Sequence, residues 1–416
     1  MLTRKMKDSG IEWIGEIPED WEVSKIGSHY IERTDKVSDL DFEPLSVTKN
    51  GIVPQLETAA KSSNHNNRKL VLKNDFVINS RSDRKMSAGI SSMDGSVSVI
   101  NTVLYSYTID RDYTKYLLKN YAFAEEFYRW GTGIVDDLWS TKWLKMKNIS
   151  IPVPPNDKQK QIGQTLDRLT QNTNNIITQT QQSIEELKKY KQSLITEAVT
   201  KGLDPNVEMK DSGIEWIGKI PKHWSVRKIS NYFSQVKDKN DELEEENLLS
   251  LSYGSIIRRN INSTDGLLPA NFKNYNIVES GDIVLRMTDL QNDKVSLRTG
   301  FVTEKGIITS AYITIRTDHK NVILPKYIRL YLHSFDIYKG FYGMGSGVRQ
   351  NVTYNDIKKI EVIVPSINEQ RQIVSYLDEQ TSRIDKLIED KTKIIEELED
   401  YKKSLIYEYV TGKKEV

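Results

Sequence analysis

MKDSGIEWIGEIPEDWEVSKI, residues 6–26, returns at residues 209–229 as MKDSGIEWIGKIPKHWSVRKI, with 16 of 21 positions identical. A second pair lies further on: IEELKKYKQSLITEAVT at 184–200 recurs at 395–411 as IEELEDYKKSLIYEYVT, an offset of 211. The order is therefore A–X–B–A′–X′–B′, an internal duplication rather than one continuous domain. The X segments, roughly 30–148 and 231–359, diverge but keep landmarks in the same order. Asn74-Asp75-Phe76-Val77-Ile78 parallels Gly281-Asp282-Ile283-Val284-Leu285, Lys115-Tyr116-Leu117 parallels Lys326-Tyr327-Ile328, and Gly131-Thr132-Gly133 parallels Gly345-Ser346-Gly347. Near-identical flanks around divergent middles suggest one scaffold carrying two binding specificities. Uniform drift after duplication would not spare the flanks alone.

The B segments set the architecture. A 4–3 alternation from Ile373 runs through Leu377, Gln380, Ile384, Leu387, Lys391, Ile394, Leu398, Tyr401 and Leu405, mostly apolar over more than four heptads. The same register in the first copy gives Ile162, Leu166, Leu169, Thr173, Ile176, Thr180, Ser183, Leu187, Tyr190 and Leu194. Each helix follows a proline-terminated, strand-like run, ISIPVPP from 149 and IEVIVP from 360, with glutamines near its start at Gln159 and Gln161, and at Gln370 and Gln372. About 40 residues at ~1.5 Å each make a rod of ~60 Å. The polar seam residues Thr173, Thr180, Ser183, Gln380 and Lys391 suit antiparallel pairing in fixed register, or partner helices packing alongside.

The expected fold class is α+β, with two pseudo-repeated mixed α/β domains joined by two long helices that pair as an antiparallel coiled coil. The expected limits are 1–155 for the first domain, 156–202 for the central helix, 203–366 for the second domain and 367–416 for the C-terminal helix. Within the domains, strand-like runs cover Val97–Thr108 and Ile307–Arg316, and helical runs cover Thr114–Arg129 and Pro325–Tyr338.

Composition narrows the function. With 416 residues, 38% hydrophobic and 28% charged, the chain has material for more than one core. There is no cysteine, which removes disulfides, thiolate nucleophiles and cysteine-held metals and suits a reducing cytoplasm. MLTRKMKDSGIEW carries no apolar leader, and no stretch approaches a bilayer span, so a soluble cytoplasmic protein is expected. Net charge is only +1, so nucleic-acid binding would rest on local patches or on charge brought by partners.

Searching for catalytic chemistry finds little. No GxxxxGK[ST] loop is present to hydrolyse ATP, no GxGxxG follows a strand, and no Asn/Asp-Pro-Pro-aromatic motif offers methyl transfer. His29, His65, His223, His319 and His333 lack metal-ligand spacing. Asp75, Asp83 and Lys85 have a spacing that could hold a divalent ion for a nuclease, but the second copy does not keep it. What remains are two polar-basic loops after the same strand. The first holds Arg81, Asp83, Arg84 and Lys85, and the second Arg286, Asp289, Gln291, Asn292 and Lys294. Arg, Asn and Gln make bidentate contacts to guanine and adenine edges, Asp accepts from cytosine, and lysines suit phosphates. Trp139 and Lys142, and Arg349 and Gln350, follow the GTG and GSG turns and join the candidates.

Taken together, the DSGIEWIG-x-IP-x-x-W repeat, the GTG and GSG turns, the proline-to-Gln lead-in and IEEL-x-x-Y-K-x-SLI resemble the specificity subunits of Type I restriction-modification systems, over essentially residues 6–412. That resemblance implies two target-recognition domains that read a bipartite, asymmetric DNA sequence, spaced by the helices. It also implies two modification subunits that bind S-adenosylmethionine, and restriction subunits that use ATP and Mg, with no cofactor or catalytic residue in this chain. The seam would comprise Ile162, Leu166, Leu169, Leu187, Leu194, Ile373, Leu377, Ile384, Leu398 and Leu405. The first copy departs from the family pattern, with Asp136-Asp137-Leu138-Trp139 where the second has Val348-Arg349-Gln350-Asn351. Rival readings are a coiled-coil adaptor that binds proteins, and the nuclease.

Overall fold

The computed structural model describes residues 4–58, 65–133, 139–261, 271–288, 290, 297–344 and 352–416. Two long helices, Asn156–Lys201 and Ile367–Val410, run through a chain that divides into two compact units. The first unit is Met1–Gln181 with Thr392–Val416, and the second is Gln182–Lys391. Each unit therefore owns half of each long helix.

In the first unit, strands Ala88–Ile90, Phe76–Asn79, Asn101–Ser106 and Tyr30–Glu32 form an antiparallel sheet in that order. Gly95–Ser98, Arg68–Val71 and Lys36–Val37 form a second, and Glu22–Lys25 pairs with Ser150–Val153 just before the first long helix. The second unit repeats this plan, with Thr299–Phe301, Ile283–Leu285, Ile313–Arg316 and Ser234–Gln235 in one sheet, Asn276–Val278 beside Gly306–Ile308, and Ser225–Lys228 paired with Glu361–Val364. The matched landmarks Phe76–Ile78 and Ile283–Leu285 thus occupy the same sheet position. Their side chains are all buried.

Several expected elements divide. Val97–Thr108 contains the end of one strand, a turn at 99–100 and a second strand, and Ile307–Arg316 divides likewise. The helix expected over Thr114–Arg129 is two helices, Arg111–Leu117 and Tyr121–Arg129. Asp110 caps the first by accepting from the Asp112 and Tyr113 amides, and Asn120 restarts the second by accepting from the Phe123 amide.

The long helices pack antiparallel within each unit. In the first, Ile162 and Leu166 share a core with Leu405, Tyr409 and Val410, and the Lys402 ammonium donates to Asn174 Oδ1 at 3.0 Å. In the second, Ile195, Ala198 and Val199 share a core with Ile373, Val374 and Leu377, and Lys191 meets Asp385 at 2.6 Å. Of the expected seam residues, Ile162, Leu166, Ile373, Leu377, Ile384 and Leu405 are buried and Leu169, Leu187, Leu194 and Leu398 are half-buried, but the alternation that runs through them fails at other positions. Ile176, Tyr190, Leu387, Ile394 and Tyr401 are exposed, whereas Ile177 and Ile184 are buried. Buried positions 162, 166, 170, 173, 177, 184, 195 and 198 follow the 3.6-residue period of a straight helix. Such a helix drifts by ~20° per heptad away from a strict seven-residue repeat.

One glutamine joins each helix to its domain. Gln159 Oε1 accepts from the Asp110 amide at 2.7 Å and its Nε2 donates to Pro154 O at 2.9 Å. Gln370 does the same with the Leu324 amide at 2.7 Å and Pro365 O at 3.0 Å. This equates Asp110 with Leu324, and so Tyr113 with Tyr327, which the Lys-Tyr landmark had placed one turn out. Both tyrosines donate to a long-helix carbonyl, Tyr113 to Val410 O at 2.8 Å and Tyr327 to Val199 O at 3.0 Å. The helices then stop at Gly202 and Gly412, whose φ values of +79° and +75° disfavour other residues. A β-carbon at Gly412 would also collide with Pro18 and Trp21 of the repeated A segment.

Candidate nucleic-acid interface

The strand Phe76–Asn79 ends in the first polar-basic loop, and hydrogen bonds join that loop to the segment after the GTG turn. Ser82 N donates to Trp139 O at 2.9 Å, Thr141 N donates to Ser80 O at 2.9 Å, and Arg81 bridges to Ser140 through the backbone. Arg81, Asp83, Arg84, Lys85, Trp139 and Lys142 are thereby gathered in one place. Asp83 lies 3.0 Å from Arg81 and 3.4 Å from Arg84, while Lys85 lies 3.0 Å from Glu125. Exposed ion pairs of this kind are weak, so the arginines can exchange Asp83 for another acceptor at little cost. Trp139 is tied differently, its Nε1 donating to Tyr128 O at 2.8 Å. That bond braces the loop from below.

Between Arg81 and Lys142 opens a cleft of about 520 Å³, lined also by Ser80, Thr102 and Trp143. Lys69 on its wall is paired with Glu32 at 2.7 Å. Lys142 is exposed and belongs to no ion pair among the described residues.

In the second unit the register carries the landmark pairing of 74–78 with 281–285 on into the loop. Arg286 N donates to Arg298 O at 2.9 Å, as Asn79 N donates to Ser87 O at 2.9 Å, so Arg286 stands where Asn79 stands. The counterpart of Arg81 is Thr288. Met287 O accepts from Val352 N at 3.1 Å, matching the Ser80–Thr141 bond, so the loop and the post-GSG segment meet here too. Asp289, Gln291, Asn292, Lys294, Arg349 and Gln350 lie outside the described residues.

Sequence reasoning missed Arg298. Its fully buried side chain donates to Thr288 O at 2.8 Å and Arg286 O at 3.3 Å, and its own amide donates to Asp336 at 2.6 Å. It holds the base of the second loop. The only trace in the sequence is a charge heading the run RTGFV at 298–302.

The nuclease constellation does not assemble. Asp75 is buried, its two oxygens taking Arg33 Nε at 2.7 Å and Nη2 at 3.1 Å, with the Leu72 amide at 2.8 Å. A guanidinium occupies the place a metal would need. Among the described residues no group of three or more His, Asp or Glu side chains could hold a metal ion.

A family model described as "Type I restriction modification DNA specificity domain" matches twice, at residues 18–186 and 221–400. The chain is 25% identical over a 443-residue alignment to the putative type I restriction enzyme MjaX specificity subunit of Methanocaldococcus jannaschii, covering 97% of this chain and 96% of that one. It is 26% identical over 299 residues to the MjaVIII specificity subunit of the same organism, covering 65% and 64%. Two solved structures share the fold at 13% identity. One, from work on complex assembly and conformational transition of the type I R-M system, has a TM-score of 0.68 over 95% of this chain and 98% of that one. The other, the HsdS subunit from Thermoanaerobacter tengcongensis, has a TM-score of 0.55 over 96% and 98%.

Proposed function

The chain belongs to the Type I restriction modification DNA specificity family, and from that membership we propose that it is the subunit that selects the DNA sequence for a restriction-modification complex. One observation carries the reading furthest: two units with the same sheet order place different side chains on the same loop. Asn79, Ser80 and Arg81 of the first unit correspond to Arg286, Met287 and Thr288 of the second. A shared scaffold with unlike loop residues is what a bipartite, asymmetric target requires, each unit reading one half-site in the major groove. In the first unit we assign the base edges to Arg81, Asp83 and Arg84, and the phosphates to Lys85 and Lys142. Trp139 supports them. In the second unit the same assignment falls on Arg286, Asp289, Gln291, Asn292, Lys294, Arg349 and Gln350. Spacer length falls to the two long helices, each of which contributes residues to both units.

The chain is a non-catalytic subunit in this reading, and modification subunits bring S-adenosylmethionine while restriction subunits bring ATP and Mg. The exposed side chains Ile176, Tyr190, Leu387, Ile394 and Tyr401 support helix-to-helix docking of the modification subunits. An adaptor for unrelated proteins is not favoured, because it leaves the paired basic loops without a role. No helix among the described residues is long and apolar enough to cross a membrane, in keeping with a cytoplasmic complex. Sequencing the host methylome with this gene present and deleted tests the reading. A bipartite methylated motif should vanish on deletion, and an unchanged methylome would refute it.

A further inference from the structure

Three exposed apolar side chains stand beside the basic cleft of the first unit. Val99 and Ile100, 39% and 43% exposed, make the turn between strands Gly95–Ser98 and Asn101–Ser106. Leu144, in the short helix Trp143–Met146, is 70% exposed. All three line the cleft together with Arg81 and Lys142. The two strands belong to different sheets, so this turn carries the chain from one sheet to the other with its two aliphatic side chains left exposed.

The second unit lacks the patch. Gly95 packs on Glu43 O and Leu45 as Gly306 packs on Asn247 O and Leu249, which fixes the correspondence of the two tips. Where the first unit has Val99 and Ile100, the second has Ser310 and Ala311, both exposed. The helix Tyr354–Ile357 likewise carries exposed Asn355 at the position of Leu144. The apolar cluster is thus confined to one copy, in the region where the copies differ if they read different bases.

We propose that Val99, Ile100 and Leu144 receive the C5-methyl group of a thymine in the half-site read by the first unit. Thymine is the base that presents an apolar group in the major groove, and aliphatic side chains are its usual partners there. Arg81 and Lys142 flank the patch with positive charge, which suits a base edge and a phosphate on either side of that methyl. The inference rests on the DNA-reading assignment of this unit and names the chemistry one part of it recognises.

The test measures binding of the complex assembled with its modification subunits to cognate duplexes in which each thymine is replaced, one at a time, by deoxyuridine. Deoxyuridine lacks only the methyl group. Burial of one carbon corresponds to about fourfold in affinity. Wild type should lose about fourfold at one thymine of the first unit's half-site. A variant carrying the second unit's residues, Val99→Ser with Ile100→Ala and Leu144→Asn, should bind the thymine and uridine duplexes alike at that position. A half-site without an A·T pair, or a wild-type complex indifferent to every uridine in it, overturns the proposal. So does a variant that keeps the fourfold difference. The wild-type scan needs no variant, so misfolding of the triple substitution leaves the question decided. If base-pair changes in that half-site still abolish binding while uridine is neutral, only the methyl contact falls; if they too are neutral, the DNA-reading assignment falls. A variant with unchanged melting temperature that no longer assembles would assign the patch to a protein partner and likewise overturn the proposal.

Discussion

The guanidinium of Arg33 grips the buried carboxylate of Asp75 at 2.7 Å, and it does so from just past the end of the edge strand Tyr30–Glu32 of the first unit's sheet. In the second unit the matching carboxylate, Asp282, is held at the same 2.7 Å by Arg316. Arg316 sits on the neighbouring strand, at the position that Tyr105 fills in the first unit. Arg33 lies over that Tyr105 ring, 4.8 Å from its centroid. The carboxylate stayed while the cation moved by one strand, because a buried carboxylate without a cation is costly wherever the cation comes from.

Removing one partner should therefore cost about 3–5 kcal/mol of stability. Arg33→Met should lower the urea midpoint of the purified chain strongly, and Arg33→Met with Asp75→Leu should recover most of the loss. Neither should change the bases of the methylated motif. With magnesium, the purified chain should leave duplex DNA intact. Cleavage that Asp75→Asn abolished would restore the nuclease reading.

Gln159 and Gln370 each satisfy backbone groups that have no other partner among the described residues at the junction of domain and helix. Both side chains are buried. Substitution by leucine leaves an amide and a carbonyl unpaired at Gln159, and an amide and two carbonyls at Gln370, at about 1–3 kcal/mol for each group. Urea titrations followed by hydrogen exchange should place the loss in the first unit for Gln159→Leu and in the second for Gln370→Leu. An effect within 0.5 kcal/mol, roughly that of an ordinary surface change, would contradict the role.

Glu369 governs an acid-sensitive contact. Burial pushes its carboxyl up, but hydrogen bonds from Ser366, Trp224 and His223 outweigh burial and hold it at about 2. A depressed carboxyl contributes stability above its unfolded value of 4.5, and that contribution fades as pH falls towards about 2. Stability of the second unit should thus decline over this window. Glu369→Gln should flatten the decline, while an identical acid limb in wild type and variant would count against it.

Much of this was legible from residues that repeat. The A and B segments marked out the shared scaffold, and the B segments located both long helices, because identical sequence in two places marks what the copies have in common. Phe76–Ile78 and Ile283–Leu285 were matched correctly, since burial on both faces leaves an apolar run that survives divergence. The 4–3 alternation failed at Ile176, Tyr190, Leu387, Ile394 and Tyr401 because a heptad count assumes 3.5 residues per turn and these helices keep 3.6. The Lys-Tyr landmark slipped because residues one turn apart share a helix face, so either tyrosine fits the pattern. The roles of Arg33 and Arg298 were out of reach. Each depends on which strand lies beside which, and no single stretch of sequence carries that.

The corrected seam separates neighbouring residues. Ile177→Asp buries an unpaired charge and should destabilise the first unit by several kcal/mol. Ile176→Asp, one position away and exposed, should change stability by no more than about 0.5 kcal/mol yet weaken association with the modification subunit. Co-purification and melting of both variants check the pair. Equal destabilisation would restore the heptad seam.

The most direct test of the account replaces residues 231–359 with the equivalent segment of another specificity subunit and reads the methylated motif by single-molecule sequencing. One half of the motif should change to the donor's bases while the other half is retained. A swap that folds and assembles but alters both halves, or neither, would contradict the assignment of one half-site to each unit.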